Sequence, residues 1–77
     1  MIHDLKIKYE FAQLHFQGKK NWELRKNDRG FKVGDLIRFT VVEFGFMYTR
    51  KITHIYQSTE YGLNSDYVIL SIDKTEL

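Results

Sequence analysis

The 77-residue chain has no cysteine and no proline. Without cysteine there is neither a disulfide nor a thiolate metal site, so packing alone must hold the fold. Without proline, turns fall to glycine and to Asn/Asp. No apolar run approaches the roughly 18 residues of a membrane span, and no signal-peptide pattern opens the chain. The expected address is cytoplasmic, with no membrane partner. Net charge is only +2, too small to argue a nucleic-acid partner from composition. The five glycines are scattered and form no phosphate-binding loop. His3, His15 and His54 fall in three separate elements, with no acid or thiol at ligand spacing. No metal and no cofactor is expected. No serine sits at a Gly-x-Ser-x-Gly elbow.

What is present is aromatic: six Phe, five Tyr and one Trp. Residues 1–77 make one domain, long enough for a single core. Leu5 and Ile7 alternate with Lys6 and Lys8, which predicts a strand over 2–8. Residues 9–17 contain no breaker and carry a broad apolar stripe, so they read as a short helix. Gly18 stops it. His15 lies on that helix in a surface or packing role. Strands follow at about 21–26, 36–44, 48–56 and 67–72. Asn27–Gly30 forms a turn, and Phe31 and Val33 plug a barrel end. Ile37, Phe39 and Val41 share one face. A bulge near Thr53-His54 accounts for the broken alternation of Ile52 and Ile55. Residues 57–65 form a loop, Val68, Leu70 and Ile72 are buried, and the tail 73–77 is polar and frayed. The fold class is α+β, mainly β: a small closed or half-closed barrel of about five strands, with one helix after the first.

The stretch Gly18–Arg29 holds the only Trp and five of the twelve Lys and Arg residues. Between Lys19 and Arg38, seven basic residues face three acids, whereas the rest of the chain is net acidic. Read as a strand, Trp22 and Leu24 form an apolar anchor. Glu23 and Arg25 take the other face, with Lys20 just upstream. An exposed Glu–Arg pair is ordinarily solvated and worth about 0–1 kcal/mol. Here it is also the expected polar site at the mouth of the sheet.

Gly18, Lys20, Glu23 and Arg25 match Gly-x-Lys-x-x-Glu-x-Arg, and the stretch resembles the signature of the ASCH domain family in the PUA-like superfamily. The resemblance extends to His3–Ile7, Arg25–Arg29, Phe31–Asp35, Glu60–Leu63 and Tyr67–Leu70. It is closest to a small phage and prophage subgroup of unknown function. It implies a β-barrel with a helix beside a cleft, the signature residues at that cleft, and RNA or a nucleotide-like ligand as partner.

Two classes of function follow. In a binding module, Lys20 and Arg25 contact phosphate or a base edge and Glu23 holds Arg25 or accepts from a base. Arg29 and Lys32 widen the basic rim. Tyr61, with Tyr48 and Tyr56, offers stacking surface, while Trp22 belongs to the core. In a small amidohydrolase acting on an acylated nucleoside, Lys20 and Glu23 are the acting pair. The branch with that activity carries Thr as nucleophile where Glu23 stands, and an attacking carboxylate would give an anhydride, not an ester. A third reading, a phage accessory protein with a protein partner, rests on the apolar turn Phe44-Gly45-Phe46-Met47.

Overall fold

The computed structural model describes residues 1–57 and 59–75. Ser58 of the expected loop, and Glu76 and Leu77 of the expected tail, lie outside the described residues. The elements are β1 (Ile2–Ile7), α1 (Tyr9–Phe16), β2 (Trp22–Lys26), β3 (Leu36–Val41), β4 (Met47–Tyr56) and β5 (Tyr67–Lys74). The class is α+β, mainly β, with one helix after the first strand. The five strands form a single sheet in the order β1-β3-β4-β5-β2, curled into a half-barrel. β1 runs parallel to β3, with Ile2 opposite Leu36 and Ile7 opposite Val41. All other neighbours are antiparallel. β1 and β2 are thus the two edges, and curling brings them face to face across an open seam.

Alternation decides which side chains fill the interior. Leu5 and Ile7 enter from β1, Ile37, Phe39 and Val41 from β3, Ile52 from β4, and Val68, Leu70 and Ile72 from β5. Ala12 of α1 and Phe31 complete the core, with Tyr9, Tyr48 and Ile55 packed against it. Val33 is exposed, so Phe31 alone plugs that end. The bulge falls where expected: Ile52 pairs with Ile72 and His54 with Ser71, leaving Thr53 as the extra residue. The shifted phase turns His54 outward and lets Ile55 pack on the core.

Two boundaries differ from expectation by more than one residue. β3 stops at Val41, not Phe44, because Gly45 N–H and Phe44 N–H both turn back to Val41 O. Gly45 has φ +77°, which a side chain would resist, and it lets the chain reverse there. β5 continues through Asp73 and Lys74, which pair with Lys51 and Arg50. The tail is therefore ordered two residues further than its polarity suggested.

α1 is held at both ends by residues outside it. Its Tyr9 N–H donates to Glu43 Oε1 at 3.0 Å, so a carboxylate from the β3–β4 turn caps a helix whose own N-cap residue, Lys8, makes no side-chain cap. At the other end, Gly18 N–H donates to His15 O and Lys19 N–H to Leu14 O. With Gly18 at φ +71°, this is a Schellman motif. Lys20 N–H also returns to Leu14 O, which fixes where Lys20 leaves the helix end.

Candidate functional site

β2 alternates as its sequence requires, but the inward face is the opposite of the expected one. Glu23 is 4% exposed, while Trp22 and Leu24 are each 46% exposed. Antiparallel pairing explains the phase. Glu23 stands opposite Leu70 and Arg25 opposite Val68, both core residues, so their side chains share the interior face. The apolar pair lies outside, along the seam.

A carboxylate this deep must be neutralised. Lys20 Nζ donates to Glu23 Oε1 at 2.8 Å, and Arg25 Nε donates to Glu23 Oε2 at 2.8 Å. Arg25 Nη2 also lies 2.8 Å from Oε2. His15 Nε2 approaches Oε1 to 3.3 Å, although it is out of line for a good hydrogen bond. Burial is the largest influence on the Glu23 carboxyl and pushes its pKa up. The His15 and Lys20 contacts and the Arg25 and Lys20 charges together outweigh it and hold the value at about 2.

The network continues inward. His15 Nδ1 lies 2.7 Å from the Tyr48 hydroxyl. The tautomer that suits both neighbours accepts from Tyr48 at Nδ1 and turns an Nε2 proton toward Glu23. Burial raises the Tyr48 pKa well above its ordinary range; the Arg50 charge opposes the rise and the Glu23 charge adds to it. The hydroxyl therefore stays protonated. Tyr48 also stacks on Phe39, with ring centroids 5.2 Å apart.

Arg25 does a second thing. Its Nη2 donates to Lys6 O at 2.8 Å, crossing from β2 to β1. Beside this bridge the seam opens into a groove of about 780 Å³. Lys6, Lys8, Lys19, Lys20, Arg25 and Lys26 supply its cations, and Glu23 is the only acid among the described residues that line it. Trp22, Phe11 and Tyr67 supply its rings. Lys20 Nζ sits 4.9 Å from the Trp22 ring centroid and 5.0 Å from that of Phe11, so both rings face a cation.

Residues 2–72 match the family described as Domain of unknown function (DUF3850). The chain belongs to that family. Among curated proteins nothing matched. Among solved structures, the crystal structure of hypothetical protein PH0355 is similar to this DUF3850 chain with a TM-score of 0.68 and 23% identity. The likeness covers 95% of this chain and 98% of the other, and at that identity it shows a shared fold.

Within the DUF3850 chain, the sequence-derived candidates separate. Lys20, Glu23 and Arg25 converge on one network. Arg29 lies nearby, lining a second, smaller cavity with Arg25. Lys32 and Tyr61 line neither cavity; Lys32 offers its backbone N–H to Asp35, and Tyr61 is 85% exposed on the loop before β5. Tyr48 and Tyr56 are half-buried, and their hydroxyls are turned inward, which removes them as open stacking platforms. Trp22 takes that position instead, because it is outside the core it was assigned to. His15 was the residue missed. It is 2% exposed and joins Tyr48 to the signature. The signal was its place on the apolar stripe with Phe11 and Leu14, since a histidine on a buried face needs partners for its ring nitrogens. Among the described residues no cluster of His, Cys, Asp and Glu is arranged to hold a metal. Nor is any described helix long and apolar enough to cross a membrane.

Proposed function

We propose that this is a cytoplasmic RNA- or nucleotide-binding domain whose ligand lies in the seam between β1 and β2. One observation carries the reading: six cations and three aromatic rings line a single groove whose only acid is already engaged from within. The groove thus presents net positive charge and π-faces, the two features that hold a phosphate-linked chain of bases. The Gly18-x-Lys20-x-x-Glu23-x-Arg25 pattern supports it, through its resemblance to the ASCH branch of the PUA-like domains and to that branch's phage-associated subgroup. Lys20 and Arg25 act as contacts. Glu23 serves to hold them, because both its oxygens are occupied and neither is left to activate a water.

Equilibrium binding of labelled single-stranded and hairpin RNA, with matched DNA, tests the reading at two salt concentrations. Salt-sensitive binding weakened by Lys20→Ala and Arg25→Ala supports it. Salt-independent binding, or none with both variants folded, rejects it.

A second reading, a protein partner, is favoured by the β3–β4 turn. Phe44, Phe46 and Met47 are 65%, 41% and 59% exposed, and the Phe16 and Tyr9 rings extend the patch. A pull-down lost on Phe44→Ser would support it; recovery of nucleic acid alone would argue against it.

A further inference from the structure

Arg25 divides the seam. On one side is the large groove with Trp22. On the other is a cavity of about 140 Å³ lined by Leu5, Arg25, Lys26, Asp28, Arg29 and Phe31. Arg25 and Lys26 line both. At about 140 Å³ the smaller cavity is large enough to admit a phosphoryl group.

Its charges are available to a ligand. Arg25 spends Nε and Nη2 on Glu23 and Lys6 O, and its Nη1 has no hydrogen bond among the described residues. Lys26 is exposed and forms no ion pair among the described residues. Among the described residues Arg29 pairs only with Asp28, at a loose 3.9 Å with both side chains about half exposed or more, a contact worth little in water. Asp4, whose carboxyl feels the Arg29 charge, is taken up by Arg38 in two hydrogen bonds of 2.6 and 3.1 Å. Three cations therefore surround the cavity, and Asp28 is the only acid among the described residues that line it. A fixed guanidinium with a spare N–H beside two exposed cations is the donor set that phosphoryl oxygens suit.

We infer that the smaller cavity is a phosphate subsite: a ligand whose ring lies against Trp22 places its phosphoryl group across Arg25, among Arg25, Lys26 and Arg29. The inference rests on the proposed groove function and specifies the ligand as phosphorylated. The phosphoryl group is either a terminal monoester or the internal diester of a strand.

Trp22 is the only tryptophan and lines the groove, so its fluorescence reports occupancy directly. Wild type, Lys26→Ala and Arg29→Ala are titrated with ribonucleosides, their 5′-monophosphates, dinucleoside monophosphates and inorganic phosphate. The phosphorylated ligand is expected to bind at least about tenfold more tightly than its nucleoside, and both substitutions are expected to pull that ratio toward one. Tighter binding of the dinucleotide identifies the diester as the source; tighter binding of the monophosphate identifies the terminal ester. Equal affinity for nucleoside and nucleotide overturns the subsite and leaves the groove reading standing. So does a ratio untouched by either substitution. Inorganic phosphate binding as tightly as the nucleotide also overturns it, since the ring then contributes nothing. Failure of every probe, the dinucleotides included, overturns this inference, and the groove reading is then decided separately by the RNA titrations.

Discussion

Arg25 reaches across the open seam to the backbone oxygen of Lys6, 2.8 Å away. The two strands involved are the edges of the sheet and share no ladder. One guanidinium therefore braces the carboxylate inside the barrel and the edge strand outside it. Replacing it should have two separable effects. Arg25→Ala leaves Glu23 with one of its charged partners gone and should lower unfolding free energy by about 1–3 kcal/mol, read by urea denaturation. Arg25→Lys keeps the charge but not the fork, and cannot serve both acceptors. It should recover part of the stability while leaving amide exchange along β1 fast. Equal exchange in wild type and Arg25→Lys would show that the bridge to Lys6 holds nothing.

The Glu23 carboxyl gives a pH signature. Its pKa is depressed to about 2 in the fold, against 4.5 for the unperturbed group. A depressed carboxyl stabilises the fold above its unfolded pKa, and that stabilisation is lost as pH falls toward the folded value. Wild type should thus exceed Glu23→Gln by a constant margin, on the order of 3 kcal/mol, at neutral pH. The margin should shrink between pH 4.5 and 2. Paired denaturation curves across that window are the check. A margin independent of pH would mean that the glutamine variant fails for packing reasons.

His15 and Tyr48 should behave as one unit. Tyr48→Phe strips the 2.7 Å partner from His15 Nδ1 and should cost about 1 kcal/mol, with His15→Ala costing more because it also empties a buried site. The double variant should be less destabilised than the sum of the two. A coupling of about 0.5 kcal/mol or more in a double-mutant cycle would register the shared bond. Strict additivity would place the two residues in separate environments.

Trp22 offers the sharpest test of which face of β2 is buried. A core Trp truncated to Ala usually costs about 3–5 kcal/mol. At 46% exposure, Trp22→Ala should cost about 1 kcal/mol or less, most of it from packing lost against Lys20. A loss in the core range would restore the face read from the sequence.

That reversal marks the limit of the sequence. Alternation states which residues of a strand share a face, and it grouped Glu23 with Arg25 and Trp22 with Leu24 correctly. Which group turns inward depends on partners outside the strand. Leu70 and Val68 opposite, His15 behind and Lys20 beside make a buried carboxylate tolerable, and only Lys20 is close to it in sequence. The elements themselves were legible because their signals are local: the stripe of α1, the glycine that ends it, and the lost alternation that marks Thr53. Where a signal was local and composition ambiguous, as in Val42–Phe44 and Asp73–Lys74, the ends were misplaced. His15 stayed hidden for the same reason as the Glu23 face, since Tyr48 is 33 residues away.

β1 finds its partner strand far along the chain: Asp4 meets Arg38 across 34 residues. Apart from Tyr67, every described residue that lines the groove lies within that interval, on β1, α1, the Schellman turn or β2. The segment is a closed excursion whose two ends are zipped together side by side, and its middle strand is fastened to the last strand of the chain. Such long-separation pairings are slow to form, because loop closure must be met before the contacts reward it. The walls of the groove are held by the same strand pairings that complete the sheet, so any ligand that occupies it would raise the melting temperature of the entire chain, not merely quiet a loop.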